Sequence, residues 1–105
     1  AGSTGRGEAN LLNLSSFAIV DAIRRGAAPT DAALAACKRI VETNKDKRLR
    51  DEKGRPNFQV QFYAITKDGQ FGGASLFAGS KMSVHDGERA RLVDLASLYE
   101  DRIVE

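Results

Sequence analysis

Apolar residues crowd the stretch between Glu8 and Arg25. Leu11, Leu12, Leu14, Phe17, Ile19, Val20 and Ile23 cover most of a helical circumference, and only Asn10, Asn13, Asp21 and the closing arginines are clearly polar. The pattern predicts a helix over 8–25, ended by Gly26 with Arg24 and Arg25 in its last turn. A helix apolar nearly all round is covered by protein on more than one side. That is hard to arrange within 105 residues, so part of the cover is expected from polypeptide elsewhere. Pro29 suits the first turn of a second helix over 29–44. There Ala33, Ala36, Cys37, Ile40 and Val41 recur at i, i+3, i+4, i+7 and i+8, one clean helical face. The short connection predicts an antiparallel pair.

From Phe58 the period changes to two. Phe58, Val60, Phe62 and Ala64 alternate with Gln59, Gln61, Tyr63 and Ile65, which predicts a strand over 58–66. Lys67-Asp68-Gly69 is a hairpin turn signal, and a second strand returns over 70–77. Gly72 and Gly73 within it suggest a bulge or a close backbone contact. Further short strands are expected over 82–85 and 89–93, with Asp86-Gly87 between them, and the tail from Leu95 fits either a short helix or a strand. Two antiparallel helices packed on an antiparallel meander make an α+β layer.

Composition narrows the function classes. The formal charge of +2 is too small to imply nucleic acid or an anionic membrane as partner, and no apolar run approaches the eighteen or so residues of a membrane helix. Lys45 to Arg55 carries six basic and three acidic residues. The acids interrupt the basic run and no aromatics are interleaved to stack on bases, so a solvated loop is the simpler reading than a phosphate-contacting patch. Cys37 stands alone, which excludes an internal disulfide and a cysteine metal cluster, and in its helical pattern it reads as a small buried hydrophobe. Asp21, Asp31, Asp46, Asp51 and Glu52 have no metal-ligand spacing.

The candidate chemistry lies at the start, in Gly2-Ser3-Thr4-Gly5-Arg6-Gly7-Glu8. A hydroxyl residue followed by two glycines ahead of a helix lets backbone N–H groups approach a ligand, and the helix dipole favours negative charge there. Such a turn can bind a carboxylate or phosphate or stabilise an acyl-transfer oxyanion, and it also fits a flexible leader with a helix cap. No base accompanies it. His85 beside Asp86 sits in a strand, where neighbours point to opposite faces, and reads as structural or exposed. Ser15 and Ser16 suit hydrogen bonds into the core rather than nucleophilic attack. An anion-ready corner with no nucleophile–base pair is what one half of an active site contains.

The order of several segments resembles the C-terminal part of the β-subunit of glycosylasparaginases (aspartylglucosaminidases). These are Thr4-Gly5-Arg6-Gly7-Glu8 with the apolar helix after it, Pro29 through Ala33, Ala36-Cys37, Arg39-Ile40-Val41, the strand Phe58 to Ile65, Lys67-Asp68-Gly69, Phe71-Gly72-Gly73-Ala74 and Met82 to Asp86. The resemblance extends to about Leu92. It implies an N-terminal nucleophile hydrolase with an αββα sandwich, matured by autoproteolysis, of which 1–105 would be the C-terminal portion of one subunit. It implies an oxyanion hole from the Thr4 hydroxyl and the Gly5 N–H, with Thr4, Gly5 and Gly7 at the substrate, and Gly7 mainly permitting a tight turn. No cofactor is implied. The nucleophilic threonine and the residues holding the substrate's α-carboxylate and α-amino groups have no counterpart here. A companion polypeptide would supply them, in an (αβ)2 oligomer acting on a glycosyl-asparagine or a related β-aspartyl amide. A periplasmic, secreted or lysosomal setting would follow. Arg6 is larger and more basic than expected in the family's variable slot, and Ala28 stands where a capping hydroxyl would be usual. Plant-type asparaginases and isoaspartyl peptidases share the Thr-Gly-x-Gly-Glu stretch, and a non-enzymatic α+β anion-binding module is the alternative outside the class.

Overall fold

The computed structural model describes residues 1–103. In chain order it contains β1 (Gly2–Gly5), α1 (Gly7–Leu12), α2 (Ser15–Arg24), α3 (Pro29–Thr43), a 3-10 turn (Lys47–Leu49), β2 (Val60–Ile65), β3 (Phe71–Phe77), β4 (Lys81–His85), β5 (Ala90–Asp94) and β6 (Ala96–Tyr99). The class is α+β, as the change of period predicts. Four strands form one sheet in the order β1-β2-β3-β6, and β4 and β5 pair separately.

The predicted helix over 8–25 is two helices. Leu14 stands between them at φ 46° and ψ 48°, the left-handed region. Two polar side chains take over backbone partners at the break. The Ser15 hydroxyl donates to the Asn10 carbonyl at 3.3 Å, and the Asn13 amide donates to the Ala9 carbonyl at 3.0 Å. The same Asn13 nitrogen reaches Thr43 Oγ1 on α3, also at 3.0 Å. Ser and Asn interrupt helices by this competition with the backbone.

The meander expectation is corrected in two places. Gly2 to Gly5, for which no strand was expected, forms an edge strand antiparallel to β2, with Ser3 opposite Phe62 and Gly5 opposite Val60. After β3 the chain leaves the sheet for the β4–β5 hairpin and returns as β6, which runs parallel to β3 and pairs Ala74 with Ala96. Of the tail, Ala96–Tyr99 is therefore a strand, Val104 and Glu105 lie outside the described residues, and the hairpin is a separate arm.

Alternation along β2 and β3 gives the sheet two unlike faces. Val60, Phe62, Ala64, Ala74 and Leu76 are buried with Ala32, Ala33, Ala36, Cys37 and Ile40 of α3 and with Ile19 of α2 in one core. Small residues let α3 lie close: a Cβ on Gly72 would come within 2.8 Å of the Thr30 backbone nitrogen. Among the described residues no helix lies on the second face. It carries Tyr63 and Ile65, 39 and 67% exposed, and further along Phe77, buried against Tyr99 with ring centroids 5.1 Å apart. The Arg55 guanidinium lies 5.1 Å from each of these rings and pairs with Asp51 at 2.9 Å and Asp101 at 2.8 Å. Lys45 to Arg55 is thus partly a clasp over the sheet. The description as one layer pair holds for the described residues; the αββα sandwich belongs to the resemblance. Among the described residues no helix is long and apolar enough to cross a membrane.

Candidate functional site

Gly5 is the residue on which the local geometry turns. Its φ is +117°, a conformation that side-chain-bearing residues rarely adopt. A Cβ there would overlap the Gln59 carbonyl oxygen and stand 2.9 Å from the Val60 Cα. The sharp turn expected of Gly7 therefore falls at Gly5. Gly7 begins α1 without a positive φ, and a Cβ on it would meet nothing within 4 Å. Open space rather than backbone strain surrounds Gly7.

Strand pairing decides where the Gly5 N–H points. The Arg6 N–H donates to the Gln59 carbonyl at 3.3 Å. In an antiparallel ladder bonded and non-bonded positions alternate. Thr4 is therefore bonded to Gln61 opposite it, and the Gly5 N–H is directed off the outer edge of β1, where the described sheet ends. Thr4 itself is exposed, and its side chain shares the second sheet face with that of Gln61. The first N–H groups of α1 follow at Gly7 and Glu8, unpartnered by the helix as at any helix start. A hydroxyl and an edge amide thus stand one residue apart, on a strand whose bonded side is locked.

Two side chains that pattern reading passed over hold this strand. Asn10 Nδ2 donates to the Ser3 hydroxyl, while its carbonyl accepts from Ser15, so Asn10 links β1, α1 and α2. Gln59 stands opposite Arg6 and extends the sheet with its amide. Nε2 donates to the Phe77 carbonyl at 2.8 Å, and Oε1 accepts from the Phe77 N–H at 3.0 Å. An Asn among the apolar positions that follow Glu8 was the available signal for the first. For Gln59 the strand alternation offered none.

Arg6 precedes α1 as its N-cap without a side-chain cap bond. Its guanidinium lies 5.7 Å from the Phe58 ring centroid and 3.7 Å from the Glu8 carboxylate. Its field reaches Asp46, whose carboxyl is held down at about 2, first by the Arg48 guanidinium and then by the Arg48 N–H. The turn is therefore flanked by balanced charge rather than by a bare cation.

The other sequence candidates lie apart. His85 is exposed on β4 and its Nδ1 accepts from the Gly87 N–H at 3.0 Å, while Asp86 caps the same turn through Glu88 and Arg89. Cys37 is fully buried and burial pushes its thiol up to about 12. Ser15 is buried at the helix break. Among the described residues no three His, Cys, Asp or Glu side chains gather as a metal site. On the second face a groove of about 590 Å³ runs between Tyr63, Ile65 and Phe71 of the sheet and Met82 and Val84 of the hairpin, reaching Gly2 of β1.

An α+β unit whose edge strand ends in a glycine turn is what the fold and the local geometry define. No protein-family model matches the chain. It is similar to N(4)-(Beta-N-acetylglucosaminyl)-L-asparaginase of Elizabethkingia miricola, at 31% identity over 94 residues that cover 88% of this chain and 26% of the relative. The chain spans about a quarter of the length of that curated relative, and is thereby related to part of a hydrolase of the asparaginase kind.

Proposed function

We propose that this chain forms the oxyanion-binding part of an amidohydrolase that cleaves the side-chain amide of glycosylated asparagine. A threonine at the N-terminus of a companion segment attacks the amide carbon, with its own α-amino group as base. The carbonyl oxygen gains negative charge and accepts hydrogen bonds from the Thr4 hydroxyl and the Gly5 N–H. The amide C–N bond breaks, the glycosylamine departs with a proton, and water hydrolyses the β-aspartyl ester. Gly7 leaves room for the substrate beside the turn. The αββα sandwich, the autoproteolytic maturation and the (αβ)2 assembly belong to the same reading.

One observation carries it: Gly5 is confined by Gln59 and Val60 in a conformation that aims its N–H off the free edge of β1. Donors fixed before the reaction need no reorganisation when charge develops, and loss of one costs about 3 kcal/mol of transition-state stabilisation. The partial likeness to an asparaginase supports the reaction class.

The test is kinetic and uses the full protein with its companion segment. Thr4→Val is expected to lower kcat on the order of 100-fold with little change in KM. Wild-type kcat in that variant would refute the oxyanion role. Aspartate release from a glycosyl-asparagine, set against an isoaspartyl dipeptide, separates this substrate from that of a plant-type asparaginase or isoaspartyl peptidase.

A further inference from the structure

The atoms nearest the space where a Gly5 Cβ would stand are the Gln59 carbonyl oxygen, the Gln59 carbonyl carbon and the Val60 Cα. All of them belong to one peptide plane. Such a plane is rigid, and its C=O and N–H point in opposite directions. On one side the Gln59 carbonyl abuts Gly5 and accepts from the Arg6 N–H at 3.3 Å. Whatever orients the other end of the plane, the Val60 N–H, therefore orients the surface against which Gly5 rests.

Val60 is fully buried, so its N–H depends on an acceptor supplied from within the fold. Pairing of β2 with β3 ends at Gln61 opposite Ser75. At Val60 the Gln59 side chain takes over. Its Oε1 accepts from the Val60 N–H at 3.2 Å and from the Phe77 N–H at 3.0 Å. Its Nε2 donates to the Phe77 carbonyl at 2.8 Å and to the Ser80 hydroxyl at 3.3 Å. Phe77 is buried and is paired on β6 with Tyr99. One side-chain amide, anchored on the buried end of β3, thus holds the plane on the side away from Gly5.

We infer that Gln59 is a positioning residue for the glycine turn: its side-chain amide fixes the Gln59–Val60 peptide plane, and the plane fixes the direction of the Gly5 N–H. The inference rests on the reading of that N–H as an oxyanion donor. Oε1 is the atom that matters for direction, because it alone bonds the plane. Nε2 serves the anchorage on β3.

The test uses the full protein with its companion segment and a glycosyl-asparagine as substrate. Gln59→Met keeps the length of the side chain and removes acceptor and donor together. It should lower kcat about tenfold with KM little changed, at a temperature where circular dichroism shows the variant folded. Gln59→Glu keeps an acceptor for the Val60 and Phe77 N–H groups and, while ionised, offers no donor to the Phe77 carbonyl. It should melt below wild type and yet keep kcat within about threefold of it. Amide exchange at Arg6 should quicken in Gln59→Met and stay near the wild-type rate in Gln59→Glu. A purely structural role predicts instead that kcat follows thermal stability in both variants. Wild-type kcat in Gln59→Met, or an equal deficit in the two variants, would overturn the proposal. If Gln59→Met does not fold, Gln59→Glu decides, and a tenfold loss of kcat there counts against the role. Thr4→Val separates this inference from the reading beneath it. Wild-type kcat in Thr4→Val removes the oxyanion role itself, whereas a low kcat there beside wild-type kcat in Gln59→Met removes the role of Gln59 alone.

Discussion

Gly5 and Gln59 meet backbone to backbone. The Gly5 Cα is so close to the Gln59 carbonyl that a methyl group has no room, and the Arg6 N–H next to it donates to that same oxygen at 3.3 Å. A turn held in this way presents its outward amide without needing a side chain of its own.

Gly5→Ala is therefore expected to destabilise the fold by about 2–4 kcal/mol, from the left-handed conformation and the collision together. Gly7→Ala faces open space and a helical backbone, and should stay within about 1 kcal/mol of wild type. Urea unfolding of the two variants checks the contrast. Equal losses would show that Gly5 is not the constrained residue.

Gln59→Ala removes the acceptor of the Phe77 N–H and one of the two donors to the Phe77 carbonyl, which keeps the Ser75 hydroxyl at 2.7 Å, and is expected to cost about 1–3 kcal/mol. Gln59→Glu keeps an acceptor for the Phe77 N–H but offers no donor to its carbonyl while ionised, so part of the loss should remain at neutral pH. Hydrogen exchange at Phe77 should quicken in Gln59→Ala. Unchanged protection there would contradict the pairing.

Arg55 gives the fold an acid-sensitive clasp. Its guanidinium holds the Asp101 carboxyl below the ordinary 3.8. At Asp51 burial pushes upward but is outweighed by the Arg55 N–H, the Arg55 guanidinium and the Lys53 N–H, and the carboxyl again lies low. Both folded values are depressed. Their contribution to stability is complete above the unfolded carboxylate range and is lost as pH falls through the lower folded values. Thermal melts between pH 7 and pH 2 should show Arg55→Met less stable at neutral pH and less sensitive to acid than wild type. Parallel acid limbs would remove the clasp.

Much of the layer was legible because local period carries it. The face of Ala33, Ala36, Cys37 and Ile40 is the buried face of α3, and the alternation from Val60 to Ala64 is the alternation of β2. The helix break was not legible. Asn13 and Ser15 read as ordinary polar positions until Thr43 and the Asn10 carbonyl stand beside them. In the site, Thr4, Gly5 and Gly7 were singled out by composition and by resemblance, yet which glycine bears the turn depends on Gln59, distant in the chain.

The sequence by itself determined the two periods, the punctuation at Gly26, Pro29 and Gly69, and an apolar excess on the first helical segment greater than a thin layer can bury. These are properties of neighbours along the chain. Only the tertiary structure decided that Gly2 to Gly5 is an edge strand, that β6 runs parallel to β3, that the hairpin stands apart and that the Gly5 amide faces outward. Each of these depends on hydrogen bonds between segments far apart in sequence, whose register no local pattern encodes.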